Sequence, residues 1–135
     1  MMKPIAQKHS FGCGIACVAF VSNTTYKDAL KLFRDGRRKA QEEGFLLKEI
    51  VVALGKAGLN YEYKYIKNRI RKSIYKPNTI VFIKRSKKYP YGHYISRSID
   101  NKWMDSWINF PNLPVQSGFR NKLPDKPIYA MFVMK

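Results

Sequence analysis

Four residues of this chain have the types and the order that thiol chemistry requires. Gln7 lies six residues before Cys13, and Cys13 opens an apolar run that predicts a helix. Further along the chain, two predicted strands carry His93 and Asp105. The spacing of Gln7 and Cys13 is typical of a thiol nucleophile that has a donor for the oxyanion nearby.

Each of the four side chains has a role in that chemistry. The N–H groups at a helix start, together with the positive end of the helix dipole, stabilise a thiolate, which makes Cys13 the predicted nucleophile. An imidazole beside the thiol takes a proton and later gives it to the leaving group, a role that we assign to His93. A carboxylate orients such an imidazole, and an amide donates to the oxyanion; Asp105 and Gln7 are the candidates.

The elements that must position these residues divide into a helical first half and a strand-forming second half. We predict helices at 13–22, 26–33 and 46–54, and strands at 61–66, 80–83, 91–98, 102–108 and 128–134. Residues 34–44 are charged and hold two glycines that we interpret as breakers, Gly36 and Gly44, so this segment is either a helix extension or a mobile loop. Asp100 and Asn101 are predicted to form a tight hairpin turn. Helices followed by antiparallel strands predict an α+β fold in which the helix of Cys13 packs on the sheet.

Several of these segments resemble the bacteriocin-processing cysteine peptidases, family thirty-nine, which cleave leader peptides after a double glycine. The resemblance rests on residues 7–20 with their Cys-Gly-x-Ala-Cys run, on the helix around 45–59, and on the segments around His93 and Asp105. It spans nearly the whole chain, and the order Gln, Cys, His, Asp is the papain-like order.

The resemblance implies a papain-like cysteine peptidase fold and cleavage of a peptide after small residues such as glycine. It implies no cofactor, and Gln7 together with the backbone N–H of Cys13 would bind the oxyanion. The hairpin between His93 and Asp105 is a few residues shorter than is usual in the family, so Asp100 at its turn is a rival for the orienting role. Acyl or amide transfer on the same thiol uses identical residues and stays open as an alternative to hydrolysis.

Length and cysteine content indicate one domain of residues 1–135 in a reducing compartment. The chain of 135 residues is long enough for a single core, and its two cysteines lie only four positions apart. We find no secretory leader and no run of roughly 18 apolar residues, so we expect no transmembrane segment and a cytoplasmic location. The transporter that often accompanies such peptidase domains is absent from this sequence, so we expect a stand-alone form.

The charge balance suggests a second class of function. The chain has 26 Lys and Arg against 9 Asp and Glu, a formal net charge of +17, and such a field attracts polyanions. The excess is either a solvated surface or the sign of a nucleic-acid or acidic partner. The alternative function is therefore a basic nucleic-acid-binding protein on a peptidase-like scaffold, for instance one packaged in a phage virion.

Two basic segments are candidates for such contacts. The run 85–91 precedes His93, and its Lys87, Lys88 and Tyr91, with the following Gly92, are predicted to flank the substrate cleft or to form a basic patch. The second segment interleaves cations with tyrosines, a pattern that suits single-stranded nucleic acid and also an ordinary amphipathic strand and helix. Its members are Lys64, Lys67, Arg69, Arg71, Lys72, Tyr61, Tyr63, Tyr65 and Tyr75.

A metal site is not predicted, although His9, Cys13 and Cys17 are spaced by fours. A structural zinc site needs four ligands, and His93 is the only remaining histidine, so such a site would consume every Cys and His in the chain. We interpret Cys17 as a core residue, and His9 as a loop residue near the cleft mouth.

Overall fold

A computed structural model describes residues 3–134 of the chain. Four α-helices come first, and six strands form the second half around a short 3₁₀ helix. The helices are α1 (Cys13–Val21), α2 (Tyr26–Leu30), α3 (Gly36–Glu42) and α4 (Leu47–Lys56). The strands are β1 (Tyr61–Tyr65), β2 (Ile80–Ile83), β3 (His93–Arg97), β4 (Trp103–Asp105), β5 (Gly118–Arg120) and β6 (Pro127–Val133), and the 3₁₀ helix is Asn68–Tyr75. Within residues 3–134, no helix has the length and apolar character needed to cross a membrane.

The six strands form one antiparallel sheet in the order β1-β6-β2-β3-β4-β5. Successive side chains of a strand point to opposite faces, and the two core clusters follow this alternation. On β2, Ile80 packs in the cluster with the helices, whereas Val81 and Ile83 pack in a second cluster. The second cluster includes Ile74 of the 3₁₀ helix, which therefore covers the face opposite α1. The predicted α+β fold is confirmed.

Helix α1 is the centre of the helical layer because it is apolar on nearly all sides. Residues 14–20 are all buried, between β3 on one side and α2 and α4 on the other. A helix that is hydrophobic all round can be stable only inside the core. This burial brings the first residue of α1, Cys13, to the start of β3, where His93 lies.

Some sequence predictions need correction. Gly36 is not a breaker but the first residue of α3, and its position against Leu30 and Phe33 leaves no room for a Cβ. The fourth strand ends at Asp105 rather than continuing to residue 108, because the chain turns away there. Strand β5 was not predicted, since three residues after a proline-rich connection show no period. The hairpin turn at 100–101 is confirmed, with Asn101 in the left-handed region at φ 66°.

Gly92 occupies the tight turn that delivers His93 to the sheet. Its φ is +75°, and its N–H donates to the carbonyl of Tyr89 at 2.9 Å. A Cβ at this position would lie 2.2 Å from Cζ of Phe82 and 2.9 Å from the carbonyl oxygen of Ile83. Both the backbone conformation and the packing therefore require glycine here.

We expect Gly92→Ala to lower the free energy of unfolding by about 2–5 kcal/mol, because left-handed backbone costs about 1–2 kcal/mol and overpacking about 1–3 kcal/mol. Gly58→Ala is the matched control, since Gly58 has φ +85° but nothing within 4 Å of its missing Cβ. That variant should lose only about 1 kcal/mol. Urea unfolding of both variants measures the difference, and equal losses would show that packing at Gly92 does not matter.

Candidate active site

Cys13 is the first residue of α1, and the end of this helix is open. Gly12, at the N-cap, has no side chain, so no side-chain cap accepts a hydrogen bond from the N–H groups of the first turn. A Cβ on Gly12 would meet the hydroxyl oxygen of Tyr26 at 2.1 Å, and that hydroxyl lies 2.9 Å from Nδ1 of His9. The close approach of Tyr26 explains the glycine, and the open helix end favours negative charge at the thiol.

His93 connects the helix of Cys13 to Asp105 on β4. Its Nε2–H donates to Oδ1 of Asp105 at 2.7 Å, and both side chains are buried. Nδ1 is then the nitrogen left for Cys13, whose thiol is close enough to the imidazole to raise the pKa of His93. The backbone N–H of Tyr94, next to His93, lies 3.5 Å from Sγ. The structure thus brings Cys13, His93 and Asp105 together in one row.

The charged forms of His93 and Asp105 in this row stabilise each other. Burial by itself lowers the pKa of His93, but the hydrogen bond to Asp105 and the contact with Cys13 outweigh it and raise the pKa to about 10. Burial likewise raises the pKa of Asp105, yet the bonds from His93 and Arg120 lower it to about 2. At neutral pH the pair is therefore an imidazolium and a carboxylate.

Arg120, on β5, is a part of this site that the sequence did not reveal. Its Nε–H donates to Oδ2 of Asp105 at 2.7 Å, and its Nη2 donates to the carbonyl of Ile108 at 3.1 Å. The backbone N–H of Trp107 donates to Oδ1 of Asp105 at 3.0 Å. Asp105 is thus held from three sides, and no local sequence signal joins it to Arg120, fifteen residues away. Asp100, the rival, instead accepts from Ser98 in the exposed turn.

Gln7 is buried beside the row and is held by Ser106. The Ser106 hydroxyl donates to Oε1 of Gln7 at 2.7 Å, and the backbone N–H of Gln7 donates to the Ser106 carbonyl at 3.2 Å. Nε2 of Gln7 contacts the carbonyls of His9 at 2.9 Å and Ser10 at 3.1 Å. Donation to an oxyanion would require this amide to share or exchange one of those two bonds. Ser106 was missed in the sequence because a lone serine after Asp105 carries no signal.

A cleft of about 470 Å³ opens at this row and includes Gln7, Cys13 and His93 in its lining. Of the loop residues predicted to flank it, Tyr91 and Gly92 line the cleft, whereas Lys87 and Lys88 lie outside its lining. Arg85 is the cation of this loop that lines the cleft. The rings of Phe11 and Tyr91 meet edge to face at 5.0 Å between centroids. This contact joins the segment before Cys13 to the segment before His93.

The other candidate residues take structural positions. Cys17 is fully buried one turn after Cys13, and burial raises the pKa of its thiol. Within residues 3–134 no cluster of three or more His, Cys, Asp or Glu side chains is placed to hold a metal ion. His9 is not part of the cleft lining, and its ring bonds the Tyr26 hydroxyl, as noted above.

The fold is similar to that of solved peptidase domains. The peptidase domain of Streptococcus ComA, a bifunctional ABC transporter involved in a quorum-sensing pathway, superposes with a TM-score of 0.55 at 21% identity and covers 98% of each chain. The peptidase domain of Streptococcus mutans ComA has 20% identity and a TM-score of 0.46, covering 98% of this chain and 99% of its own. No protein-family model and no curated protein matches the chain. The first likeness shows a papain-like cysteine peptidase fold.

We expect Arg120→Gln to raise the pKa of both His93 and Asp105. Without the guanidinium the carboxylate of Asp105 is less stabilised, and its negative charge acts on the His93 imidazolium without competition from a second cation. A shift of about one unit or more at Asp105 fits the loss of a close opposite charge. Arg120→Lys keeps the charge and should restore most of the shift. NMR titration of the His93 ring and of the Asp105 carboxyl measures both values, and unchanged values in Arg120→Gln would show that Arg120 only fills space.

Proposed function

We propose that the protein is a cysteine peptidase that cleaves its substrate in the cleft at Cys13. The observation that carries the proposal is the row of Cys13, His93 and Asp105, in which a half-buried thiol at an open helix end faces an imidazole fixed by a buried carboxylate. These are the parts that nucleophilic attack by a thiolate requires.

The reaction follows from the positions of the atoms. The Cys13 thiolate attacks the scissile carbonyl carbon, and a C–S bond forms as the carbonyl oxygen takes the negative charge. The N–H of Cys13 and the amide of Gln7 stabilise this oxyanion. The His93 imidazolium gives its proton to the leaving nitrogen as the C–N bond breaks. Water then gives a proton to His93 and attacks the acyl carbon; the C–S bond breaks, the carboxylic acid product leaves, and the thiolate and the imidazolium are restored.

The walls of the cleft favour a substrate with small residues at the scissile bond. Phe11 and Tyr91 line the cleft together with Cys13, and their two large rings touch each other. Backbone that passes here has little room for side chains, so glycine or alanine residues suit the position before the cleaved bond. A peptide with two adjacent glycines is accordingly the substrate class that we propose.

We expect the protein to cleave a peptide containing Gly-Gly after the second glycine, and to cleave the Leu-Leu counterpart at least about 100-fold more slowly, since pocket exclusion is worth a few kcal/mol. Cys13→Ala should abolish cleavage, whereas Cys17→Ala, which changes the other thiol, should retain it. Mass spectrometry of the products reads out the cleaved bond and separates hydrolysis from acyl transfer to an added amine. Cleavage by Cys13→Ala would refute the proposal.

The pH dependence of kcat/KM should depend on Asp105. Because His93 must carry a proton to the leaving group, the rate should fall as pH rises through about 10, the pKa of His93. Asp105→Asn keeps an oxygen acceptor but removes the charge, so the pH at which the rate falls should decrease by at least about one unit. Asp100→Asn is the control at the exposed turn and should leave the profile unchanged. If the two variants gave the same profile, the role assigned to Asp105 would be wrong.

A further inference from the structure

A second cavity lies on the sheet face opposite α1, away from the catalytic cleft. It is a groove of about 950 Å³ between the 3₁₀ helix and the segment that connects β5 to β6. None of the residues that line it also lines the cleft at Cys13. Its volume lies at the upper end of the range for ligand pockets, so the groove is large enough to hold several monomer units of a polymer.

The groove is lined by positive charge on both sides. Lys67 is the residue before the 3₁₀ helix, and Arg71 lies in that helix. Lys122 and Lys126 lie in the β5–β6 connection on the other side. All four side chains are exposed, and no acidic residue is part of the lining. Two rows of cations that face each other across a groove attract a linear polyanion more strongly than scattered surface lysines do.

An aromatic ring lies beside these cations. Tyr75, in the lining of the groove, is 51% exposed, which is unusual for a side chain of this size. Below it, the buried guanidinium of Arg97 stacks on the ring of Tyr75 at 5.2 Å and on that of Trp103 at 4.9 Å. Arg97 therefore fixes the Tyr75 ring from beneath and adds a fifth positive charge under the groove.

From this arrangement we propose that the groove binds single-stranded nucleic acid. Cations along a channel take the phosphates, and the exposed ring of Tyr75 offers a face on which a base stacks, a combination that tolerates any sequence. An acidic peptide would satisfy the cations but would leave the ring face of Tyr75 without a planar partner. The groove is thus a binding site that is separate from peptide cleavage and does not depend on it.

The test measures binding of a fluorescein-labelled oligo(dT) and oligo(U) of about 12 nucleotides, a length within the range of such sites. If each of the four lining cations contacts one phosphate, the logarithm of the association constant should fall with the logarithm of the salt concentration with a slope of about −3. Each phosphate contact contributes about −0.7 to this slope for a single strand. The variant with Lys67, Arg71, Lys122 and Lys126 all changed to Gln should lose at least about tenfold in affinity near 150 mM salt, and most of that slope.

A matched variant separates the groove from the overall charge. Changing Lys27, Lys31, Arg34 and Lys56 to Gln also removes four positive charges, but all four residues lie in the helical layer and are exposed. This variant should bind nearly as well as the unchanged protein. If both variants lost affinity equally, binding would be due to the net charge and the proposal would be overturned.

The rings provide the test that distinguishes nucleic acid from an acidic peptide. Tyr75→Ala should weaken binding at least about fivefold, because one stacked base is lost, whereas Tyr75→Phe keeps the ring and should bind normally. Tyr65→Ala is the control, because the Tyr65 ring packs edge to face on Tyr129, and it should bind nearly as well as the unchanged protein. Polyglutamate of equal charge should compete poorly; equal competition, or no loss in Tyr75→Ala, would overturn the proposal. Cys13→Ala should bind oligonucleotide unchanged, so failure of the peptidase proposal and failure of this one are read separately.

Discussion

The hydrogen bond between His93 and Asp105 determines how the rest of the site is built. Asp105 has no exposed surface, and a buried carboxylate is stable only if its oxygens are bonded and its charge is balanced. His93 and the Trp107 N–H satisfy one oxygen and Arg120 the other. Removing one partner of such a pair typically costs about 3–5 kcal/mol. The short strand β5 is therefore an essential part of the site, because it carries Arg120 and packs on β4.

The same bond makes stability depend on pH in a defined direction. The pKa of His93 is raised from 6.5 to about 10, so its contribution is fully present below 6.5 and is lost as pH rises through 10. The pKa of Asp105 is lowered from 3.8 to about 2, so its contribution is present above 3.8 and is lost as pH falls through 2. Both contributions are complete between about pH 4 and 6.5. This window lies within the wider pH range, from about 2 to about 10, in which His93 and Asp105 are both charged.

Local pattern was enough to predict the elements that carry the site, and long-range contacts were not predictable in the same way. Strand β2 has the bounds expected from its apolar run, and α1 begins at Cys13 as its glycine and apolar residues indicate. By contrast, Arg120 bonds Asp105 and Ser106 bonds Gln7 across the fold. Arg120 lies outside every predicted element, and Ser106 lies in the predicted strand 102–108, where nothing in the pattern points to Gln7. Such partners are found only when the sheet order is known, since β5 reaches Asp105 by pairing with β4.

The linings of the two cavities differ in charge. In the cleft at Cys13, the cations Lys39 and Arg85 are matched by the carboxylates of Glu43 and Glu49; Lys39 is paired with Glu49 and lies 3.7 Å from Glu43. The groove on the opposite face has four cations and no acidic residue in its lining. Among these lining residues, the excess of positive charge therefore lies at the groove. A polyanion held at the groove would then leave the cleft at Cys13 open to a peptide.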